Sequence, residues 1–181
     1  MSRGHSPKRQ SIKLRPWGVL VSQVSTRRVG SDDWAEWRDL RLAALLDSPD
    51  AFASTYKSEG DWTEQEWRNR LGPVNGMAVI ASLDGRPVGM SAGYQSGPHV
   101  VGLVSMWVTP TARGQGVGDA LVAEVVQWAK EQAASDVHLW VTRGNDPAVR
   151  LYTRHGFERT GDVRPLPSNP LADEIAMRLR R

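Results

Sequence analysis

The feature that most constrains this chain is a glycine-rich turn that follows an apolar strand and opens an amphipathic helix, between Val104 and Trp128. Apolar residues recur after the turn at spacings of three and four, which is typical of a helix that packs one face against a core. These helix residues are Val117, Leu121, Val125 and Trp128. The sequence therefore predicts a buried strand that continues through a glycine-rich turn into a helix.

The start of this helix is a candidate anion site. The first backbone N–H groups of a helix have no partner within the helix, and the helix dipole adds partial positive charge there. Glycines let the backbone approach a ligand closely, so the amides from Gly114 to Gly118, with Arg113 beside them, could cradle a phosphate. The alternative is a tight turn that only connects the strand and the helix. Three glycines in five residues, next to an arginine, favour the anion site.

Two common nucleotide-binding motifs do not fit this turn. A Walker loop requires Gly-x-x-x-x-Gly-Lys-Ser/Thr, and neither a lysine nor a hydroxyl follows these glycines. A dinucleotide fingerprint requires Gly-x-Gly-x-x-Gly. Counting from Gly114 places Asp119 at its last position, and counting from Gly116 places Leu121 there. Neither nucleotide-binding motif therefore fits this turn.

The length and composition indicate one domain with a substantial core. The chain has 181 residues and no cysteine, which excludes disulfides, thiolate metal sites and cysteine nucleophiles. It has no apolar run long enough to span a membrane, and its first residues lack the apolar segment of a signal peptide. No histidine pairs with an acidic residue at metal-ligand spacing, so we expect no metal site. We expect a cytoplasmic protein.

The charge of the chain is uneven. Residues 1–30 hold seven of the 23 Lys and Arg residues and no acid, which leaves 16 basic against 20 acidic residues elsewhere. Ser, Gly, Pro and charged residues dominate the first part, so we interpret residues 1–25 as a flexible basic tail and residues 26–181 as one domain. A tail of this kind can also bind nucleic acid, which we consider the less favoured interpretation.

The first half of the chain combines short strands and two helices. A capping box, Thr63 with Glu66, predicts the start of the second helix. The expected elements are strands at 19–21 and 23–29, a helix that begins after Ser31–Asp33 and ends before Ser48, a loop with a short helical turn from Asp50 to Asp61, and a helix from Thr63 to Leu71.

The second half adds a meander and two further helices. Asp84–Arg86 is a hairpin signal, and Asp146 is the predicted cap of the last helix. The expected strands are Met77–Leu83, Pro87–Tyr94, Val100–Val108, Val137–Thr142, Phe157–Val163 and Glu174–Leu179, with a last helix to His155 and a loop from Pro165 to Pro170. Such an order predicts a mixed sheet, antiparallel early and parallel where a helix crosses between strands.

Several of these motifs together resemble one known family. Arg113-x-x-Gly116-x-Gly118 follows a buried strand, and Asn145, Leu151-Tyr152 and Gly156-Phe157 follow at a characteristic spacing. This pattern is similar to the GNAT N-acetyltransferase superfamily. The resemblance is strong from about residue 100 to residue 157 and extends by element order to residue 26. It implies an α/β fold of the α+β type: three layers, with a central mixed, mostly antiparallel sheet of six or seven strands flanked by helices.

The resemblance also implies the donor and the residues that bind it. The donor would be acetyl-CoA, with its pyrophosphate on the amides of Arg113, Gly114, Gln115, Gly116, Val117 and Gly118. A bulge in the preceding strand would separate it from the next strand, and the pantetheine arm would pair there with backbone groups of Met106 and Val108. A backbone N–H near Val108 could polarise the acyl carbonyl. Asn145 would bond the pantetheine or the structure around it.

Tyr152 matches the tyrosine that commonly protonates the departing CoA thiolate in this family. A phenol has an ordinary pKa near 10 and can donate to a thiolate held within hydrogen-bond reach. The alternative is a helix-face tyrosine packed on the core. No spacing identifies the general base, which stays unassigned. Ser105 is too weak a base unaided, and the residues that could act through water are Asp50, Glu59, Asp61 and His99.

We therefore expect an N-acetyltransferase that moves the acetyl group to a primary amine by direct transfer, with no covalent enzyme intermediate. The acceptor is expected to be a small molecule such as a polyamine, amino acid or aminoglycoside rather than a protein, and an acidic body favours a cation. Acceptor loops would be Asp47–Leu71 and Pro165–Asp173, with Trp62 and Trp67 either in the cleft or in the core. A homodimer is one allowed assembly. The alternative function is a regulatory module that binds acyl-CoA without turnover.

Overall fold

A seven-stranded mixed sheet forms the centre of the protein in a computed structural model, which describes residues 22–72 and 76–181. The strand order is β1-β2-β3-β4-β5-β7-β6, and every neighbouring pair is antiparallel except β4 and β5. The strands are β1 Val24–Val29, β2 Gly76–Leu83, β3 Arg86–Gly97, β4 Val100–Val108, β5 Asp136–Thr142, β6 Glu158–Leu166 and β7 Asn169–Arg180. The predicted sheet, with its parallel pair across a helical crossover, is confirmed.

Five α-helices flank this sheet in the described part of the chain, and the predicted capping box is present. The Thr63 N–H donates to Glu66 Oε2 at 2.6 Å, and the Glu66 N–H donates to Thr63 Oγ1 at 3.4 Å. The helices are α1 Trp34–Asp47, α2 Tyr56–Glu59, α3 Glu64–Arg70, α4 Val117–Glu131 and α5 Asp146–Arg154, with 3-10 turns at Ser31–Asp33, Pro49–Ala51 and Pro110–Ala112.

The helices cover both faces of the sheet, and alternate residues of β2 show why. Ala78 and Ile80 belong to a buried cluster with Trp37 of α1 and Trp67 of α3. Val79 and Ala81 belong to another cluster, with Val117 and Leu121 of α4. Since successive side chains of a strand point to opposite faces, α1 and α3 lie on one face and α4 lies on the other. The fold has three layers, as predicted.

The end of the chain differs from the prediction. The predicted loop Pro165–Pro170 is wrong, because β6 and β7 form a hairpin that turns between Leu166 and Asn169, with a bulge between Arg159 and Val163. Prolines are tolerated here because β6 is an edge strand, and an edge strand leaves one side without ladder hydrogen bonds. The cap of α5 is Asn145 rather than Asp146, since Asn145 Oδ1 accepts the Ala148 N–H at 3.3 Å.

The predicted strand at 19–21 lies outside the described residues, as does most of the predicted tail. The next predicted strand is confirmed as β1, which begins before the predicted domain boundary at residue 26. Across residues 22–72 and 76–181, no helix is both long enough and apolar enough to cross a membrane. The same residues contain no cluster of three His, Asp or Glu side chains arranged to hold a metal ion.

Candidate active site

A bulge in β4 opens the sheet. Ser105 has a φ of +56°, and the register between β3 and β4 shifts beside it, between Met90 and Ala92. A non-glycine residue in this conformation within a strand is unusual and marks a bulge, which bends the strand and increases its twist. The parallel pairing of β4 with β5 is confined to Val100–Gly102. From Leu103 onward the two strands diverge, which agrees with the predicted gap.

Met106 lies at this gap. No residue pairs with it in the ladder to β3 or in the ladder to β5, within the part of the chain that the structure describes. Its backbone is therefore available to a ligand that enters the gap as an extra strand would.

The glycine-rich turn presents an open face at the start of α4. Gly114 and Gly116 have φ values of +76° and +82°, and Gly116 is the residue that caps the helix. A Cβ at either glycine would meet no atom within 4 Å. Glycine is thus required by the left-handed backbone and not by lack of space. No side chain caps the helix, so the first amides of α4 face an open surface.

Gly118 brings this helix start next to the gap. A Cβ at Gly118 would lie 3.1 Å from Leu151 Cδ2 of α5 and 3.5 Å from Met106 Cε of β4. A Cβ here would press on Leu151 and meet Met106 at an ordinary contact distance. The open amides, the end of α5 and the unpaired part of β4 consequently adjoin one another.

Arg113 is engaged within the protein. Its Nε donates to the Val108 carbonyl oxygen at 2.9 Å, and its guanidinium bonds Asp47 Oδ2. The indole N–H of Trp107 donates to the same oxygen at 2.9 Å. These bonds, that of Trp107 foremost, hold the pKa of Asp47 below its usual value. Arg113 therefore ties the end of β4 to α1, and the predicted partner Val108 already accepts one protein bond.

The side chains of the other predicted ligands of the turn are engaged within the protein. The Gln115 side chain donates to the Thr111 carbonyl oxygen at 2.9 Å, and the Val117 side chain is buried in the core. Asn145 caps α5 through its side-chain oxygen, which places it in the structure around the gap. The backbone groups of the turn, with the half-exposed Arg113 side chain beside them, are thus left to meet an anion.

Asp119 lies in the first turn of α4, where a free carboxylate would repel an anion. Arg154 holds it with two bonds of 2.6 and 2.8 Å, and His155 Nε2 lies 3.0 Å from Asp119 Oδ1. These partners, Arg154 first, lower the pKa of Asp119 to about 2. The negative charge beside the turn is therefore compensated by α5.

Tyr152 lies in the main core cluster and is only 5% exposed. Its ring is 5.9 Å from that of Phe157, and the cluster includes Leu103 of β4 and Leu139 of β5. Burial raises the pKa of Tyr152, so the phenol keeps its proton at neutral pH. This environment fits a packed core tyrosine, and it also places a protonated phenol among residues that line the gap.

A cavity of about 1080 Å³ lies on the α1 and α3 side of the sheet. Ser105 of the bulge, Trp140 of β5 and Trp37 of α1 are among its lining residues. The volume is at the upper end of the range for small-molecule sites. The open helix start belongs to α4, on the other face, so the gap between β4 and β5 separates the two features.

Buried charges line this cavity. Glu59 Oε1 and Oε2 accept bonds of 2.7 and 2.8 Å from Arg41, and both side chains are almost fully buried. Burial alone would raise the pKa of Glu59, but the bonds from Arg41 hold it below its usual value. Arg164 pairs with Glu174 and lies 4.0 Å from the Trp140 ring. Neither glutamate is free to act as a base.

The sequence candidates for the general base are only partly brought to the cavity. Glu59 and Ser105 line it, whereas Asp50, Asp61 and His99 do not. Of the two tryptophans assigned to either cleft or core, Trp62 lines the cavity and Trp67 packs in the core. The late acceptor loop Pro165–Asp173 supplies no lining residue. The residues that flank it in the sequence, Arg164 and Glu174, line the cavity instead.

His138 is a further ionisable group of the cavity that sequence reasoning assigned only to a strand. It pairs with Gly102 at the last rung between β5 and β4, and its Nε2 lies 2.8 Å from Ser96 Oγ. Burial, followed by the charges of Arg164 and Arg178, lowers the pKa of His138. Its ring is consequently neutral at neutral pH and can accept a proton. No spacing in the sequence identifies His138 as a cavity residue, because the opening between β4 and β5 depends on the bulge at Ser105.

Comparison with known proteins identifies the family. The model of the acetyltransferase (GNAT) family matches residues 34–157, which include α1, the bulge, the glycine-rich turn and Tyr152. The chain belongs to this family. An uncharacterized N-acetyltransferase of Methanocaldococcus jannaschii is 26% identical over 145 residues, which cover 77% of this chain and 62% of that protein. A mycothiol acetyltransferase of an Arthrobacter species is 27% identical over 185 residues, covering 92% and 55% respectively.

Solved structures agree on the fold. A GCN5-related N-acetyltransferase from Kribbella flavida superposes with a TM-score of 0.70 at 22% identity, covering 87% of this chain and 98% of that one. The PaiA N-acetyltransferase of Thermoplasma acidophilum, solved with coenzyme A, gives 0.69 at 14% identity, covering 88% and 99%. The chain spans 62% and 55% of the two curated relatives named above.

Proposed function

We propose that this protein is an N-acetyltransferase that uses acetyl-CoA to acetylate a primary amine. Membership of the GNAT family supports the reaction class. The single observation that carries the proposal is the open glycine turn beside the gap between β4 and β5, because it joins an anion-binding backbone to an unpaired strand edge. Relatives solved with coenzyme A and with acetyl-CoA support the donor.

The donor fits the residues of the turn and the gap. The amides of Arg113 to Gly118 would hold the pyrophosphate, since the left-handed backbone at Gly114 and Gly116 leaves their face open. Met106 would pair with the pantetheine through its backbone, while Asn145 keeps the start of α5 in place beside it. Bound acetyl-CoA supplies an activated acetyl thioester.

The amine would attack that thioester from the cavity. The new N–C bond forms as the C–S bond breaks, and the sulfur takes a proton from the Tyr152 hydroxyl. Burial keeps that phenol protonated. The amine loses one proton during the attack, and His138 is a neutral group of the cavity that can receive it through water.

The acceptor we propose is a small molecule rather than a protein, because the volume of the cavity suits one. The absence of cysteine agrees with a reducing compartment, so we propose a cytoplasmic enzyme. We also propose a homodimer, which sedimentation would test.

Release of free CoA from acetyl-CoA tests the function directly. A panel of primary amines should include polyamines, amino acids and aminoglycosides, with a thiol reagent as the readout. We expect at least one amine to accelerate release far above hydrolysis. Binding of acetyl-CoA without release by any amine would instead indicate a regulatory module.

A further inference from the structure

The cavity contains one arginine that differs from the others. Four arginines line it: Arg28, Arg41, Arg70 and Arg164. Arg28 bonds Glu131, Arg41 bonds Glu59, and Arg164 bonds Glu174. Arg70, the last residue of α3, forms no ion pair among residues 22–72 and 76–181. The remaining residues of the chain include no Asp or Glu that could pair with it.

Arg70 is a solvent-exposed residue of the cavity lining. Burial, followed by the charge of Arg41, lowers the pKa of Arg70, and an arginine stays charged in proteins despite such shifts. Its guanidinium has a like charge nearby in Arg41 and an opposite charge in Glu59, but Arg41 already holds both carboxylate oxygens of Glu59. An anion that bonds Arg70 would offset the repulsion from Arg41, and carboxylates fit the guanidinium fork with two parallel bonds.

The charge of the lining points the same way. Three of the four lining arginines are paired with a glutamate, so among the described residues of the lining Arg70 carries an uncompensated positive charge, although the body of the chain is acidic. The expectation of a cationic acceptor, which rested on the acidic body, therefore does not describe the cavity itself. The donor's pyrophosphate is an unsuitable partner for Arg70, because α3 and the glycine turn of α4 lie on opposite faces of the sheet.

We infer that Arg70 binds the carboxylate of an acceptor that carries both a primary amine and a carboxylate. This inference rests on the proposed acetyltransferase function, since it assigns the acceptor of the same site. The carboxylate anchors on α3 at one side of the cavity, and the amine reaches the bulge at Ser105, where the gap opens. Arg70 is thus a specificity-determining residue.

Matched pairs of acceptors test the assignment. We would assay glycylglycine, 4-aminobutyrate and 6-aminohexanoate, each beside its primary amide, because the distant carboxylate leaves the basicity of the amine nearly unchanged. For at least one pair, we expect kcat/KM for the acid to exceed that for the amide by about 10- to 100-fold, the range for a charge-assisted pair. Arg70→Gln should remove this preference, largely through KM, and Arg70→Lys should keep part of it.

Arg68→Gln is the control, because Arg68 lies on the same helix and bonds Glu64 and Asp32 outside the cavity. It should keep the preference of the parent protein. Equal use of acids and amides by the parent protein, or an acid preference that survives Arg70→Gln, would overturn the inference while leaving the acetyltransferase function intact. If no amine releases CoA, the proposed function fails. Thermal-shift measurements then test the carboxylate site by itself. A rise in Tm with 6-aminohexanoate, absent with its amide and in the folded Arg70→Gln variant, would preserve the carboxylate site, and no such rise would reject it.

Discussion

Tyr152 combines two properties that usually belong to different residues. It packs in the main core against Phe157, and it is the proposed proton donor to the leaving thiolate. Tyr152→Phe removes only the hydroxyl, so the core packing should survive. We expect kcat to fall by about 100-fold, the lower range for loss of general acid catalysis, with acetyl-CoA affinity unchanged. Steady-state kinetics and calorimetric titration with CoA would measure both.

Tyr56→Phe is the matched control for that substitution. Tyr56 lies in α2, is substantially exposed and does not line the cavity, so its variant should retain normal turnover. If Tyr152→Phe also retained normal turnover, the acid role would be lost and Tyr152 would be a core residue alone.

The ion pair between Arg41 and Glu59 is the most deeply buried pair of charges in the described part of the chain. Removing one partner leaves the other charge buried and alone, which typically costs 3–5 kcal/mol. We therefore predict that Glu59→Gln lowers the free energy of unfolding by about 3 kcal/mol in urea. Glu64→Gln, which breaks the exposed pair with Arg68, should cost less than about 1 kcal/mol.

A second variant separates charge from packing at this pair. Replacing Arg41 by Met and Glu59 by Leu together removes both charges, and most of the lost stability should return. If Glu59→Gln and Glu64→Gln lowered the free energy of unfolding equally, burial of the pair would add nothing to the cost of breaking it.

The junction of β4 and α4 is the element on which the donor site depends. At Gly116 any side chain meets open space, but it must adopt a left-handed backbone. Gly116→Asp adds both backbone strain and a negative charge at the proposed pyrophosphate position, whereas Gly116→Asn adds the strain alone. We predict that acetyl-CoA binds at least about 10-fold more weakly to the Asp variant than to the Asn variant, as like charges repel. Calorimetric titration would measure both, and equal affinities would argue against the cradle.

The contact between α4 and α5 depends on Asp119. Because the folded pKa of about 2 lies below the ordinary 3.8, the ionised form stabilises the folded protein. That stabilisation is present above about pH 4 and is lost as the pH falls towards 2. Since the carboxylate is 39% exposed, solvent screening reduces the expected loss in Asp119→Asn at pH 7 to about 1 kcal/mol.

Urea unfolding as a function of pH would test this contact. The difference between the parent protein and Asp119→Asn should be constant above pH 4 and shrink below it. Asp61→Asn serves as the control, since Asp61 is exposed and has no ion pair in the described residues. A difference that persisted unchanged at pH 2 would contradict the assignment.

Across the whole molecule, local patterns were sufficient to predict much of the fold. The capping box at Thr63, the hairpin at Asp84–Arg86 and the helix that opens from the glycine-rich turn follow from short-range chemistry and are confirmed. The late hairpin was missed because prolines usually interrupt strands, and only the edge position of β6 makes Pro165 acceptable. Element order along the chain does not state which strand ends at an edge.

In the candidate site too, features that depend on contiguous residues are predictable from the sequence, and features that depend on tertiary contacts are not. The glycine turn was predicted because its residues are contiguous, whereas the positive φ of Ser105 has no signal in the sequence. Arg70 and His138 are far apart in the chain and line one cavity only after the sheet and α3 have assembled. Contacts that depend on tertiary assembly were therefore beyond sequence patterns alone.

The arrangement of the three layers has a kinetic consequence. The open glycine turn belongs to α4 and the cavity lies under α1 and α3, so donor and acceptor would approach the gap from opposite faces without competing for space. The chain also lacks the cysteine that a thioester-linked enzyme intermediate would need. We therefore predict that both substrates must be bound before CoA leaves. With an amine that is turned over, double-reciprocal plots at several acetyl-CoA concentrations should intersect. Parallel lines, or acetyl transferred to the protein in the absence of amine, would contradict direct transfer between the two faces.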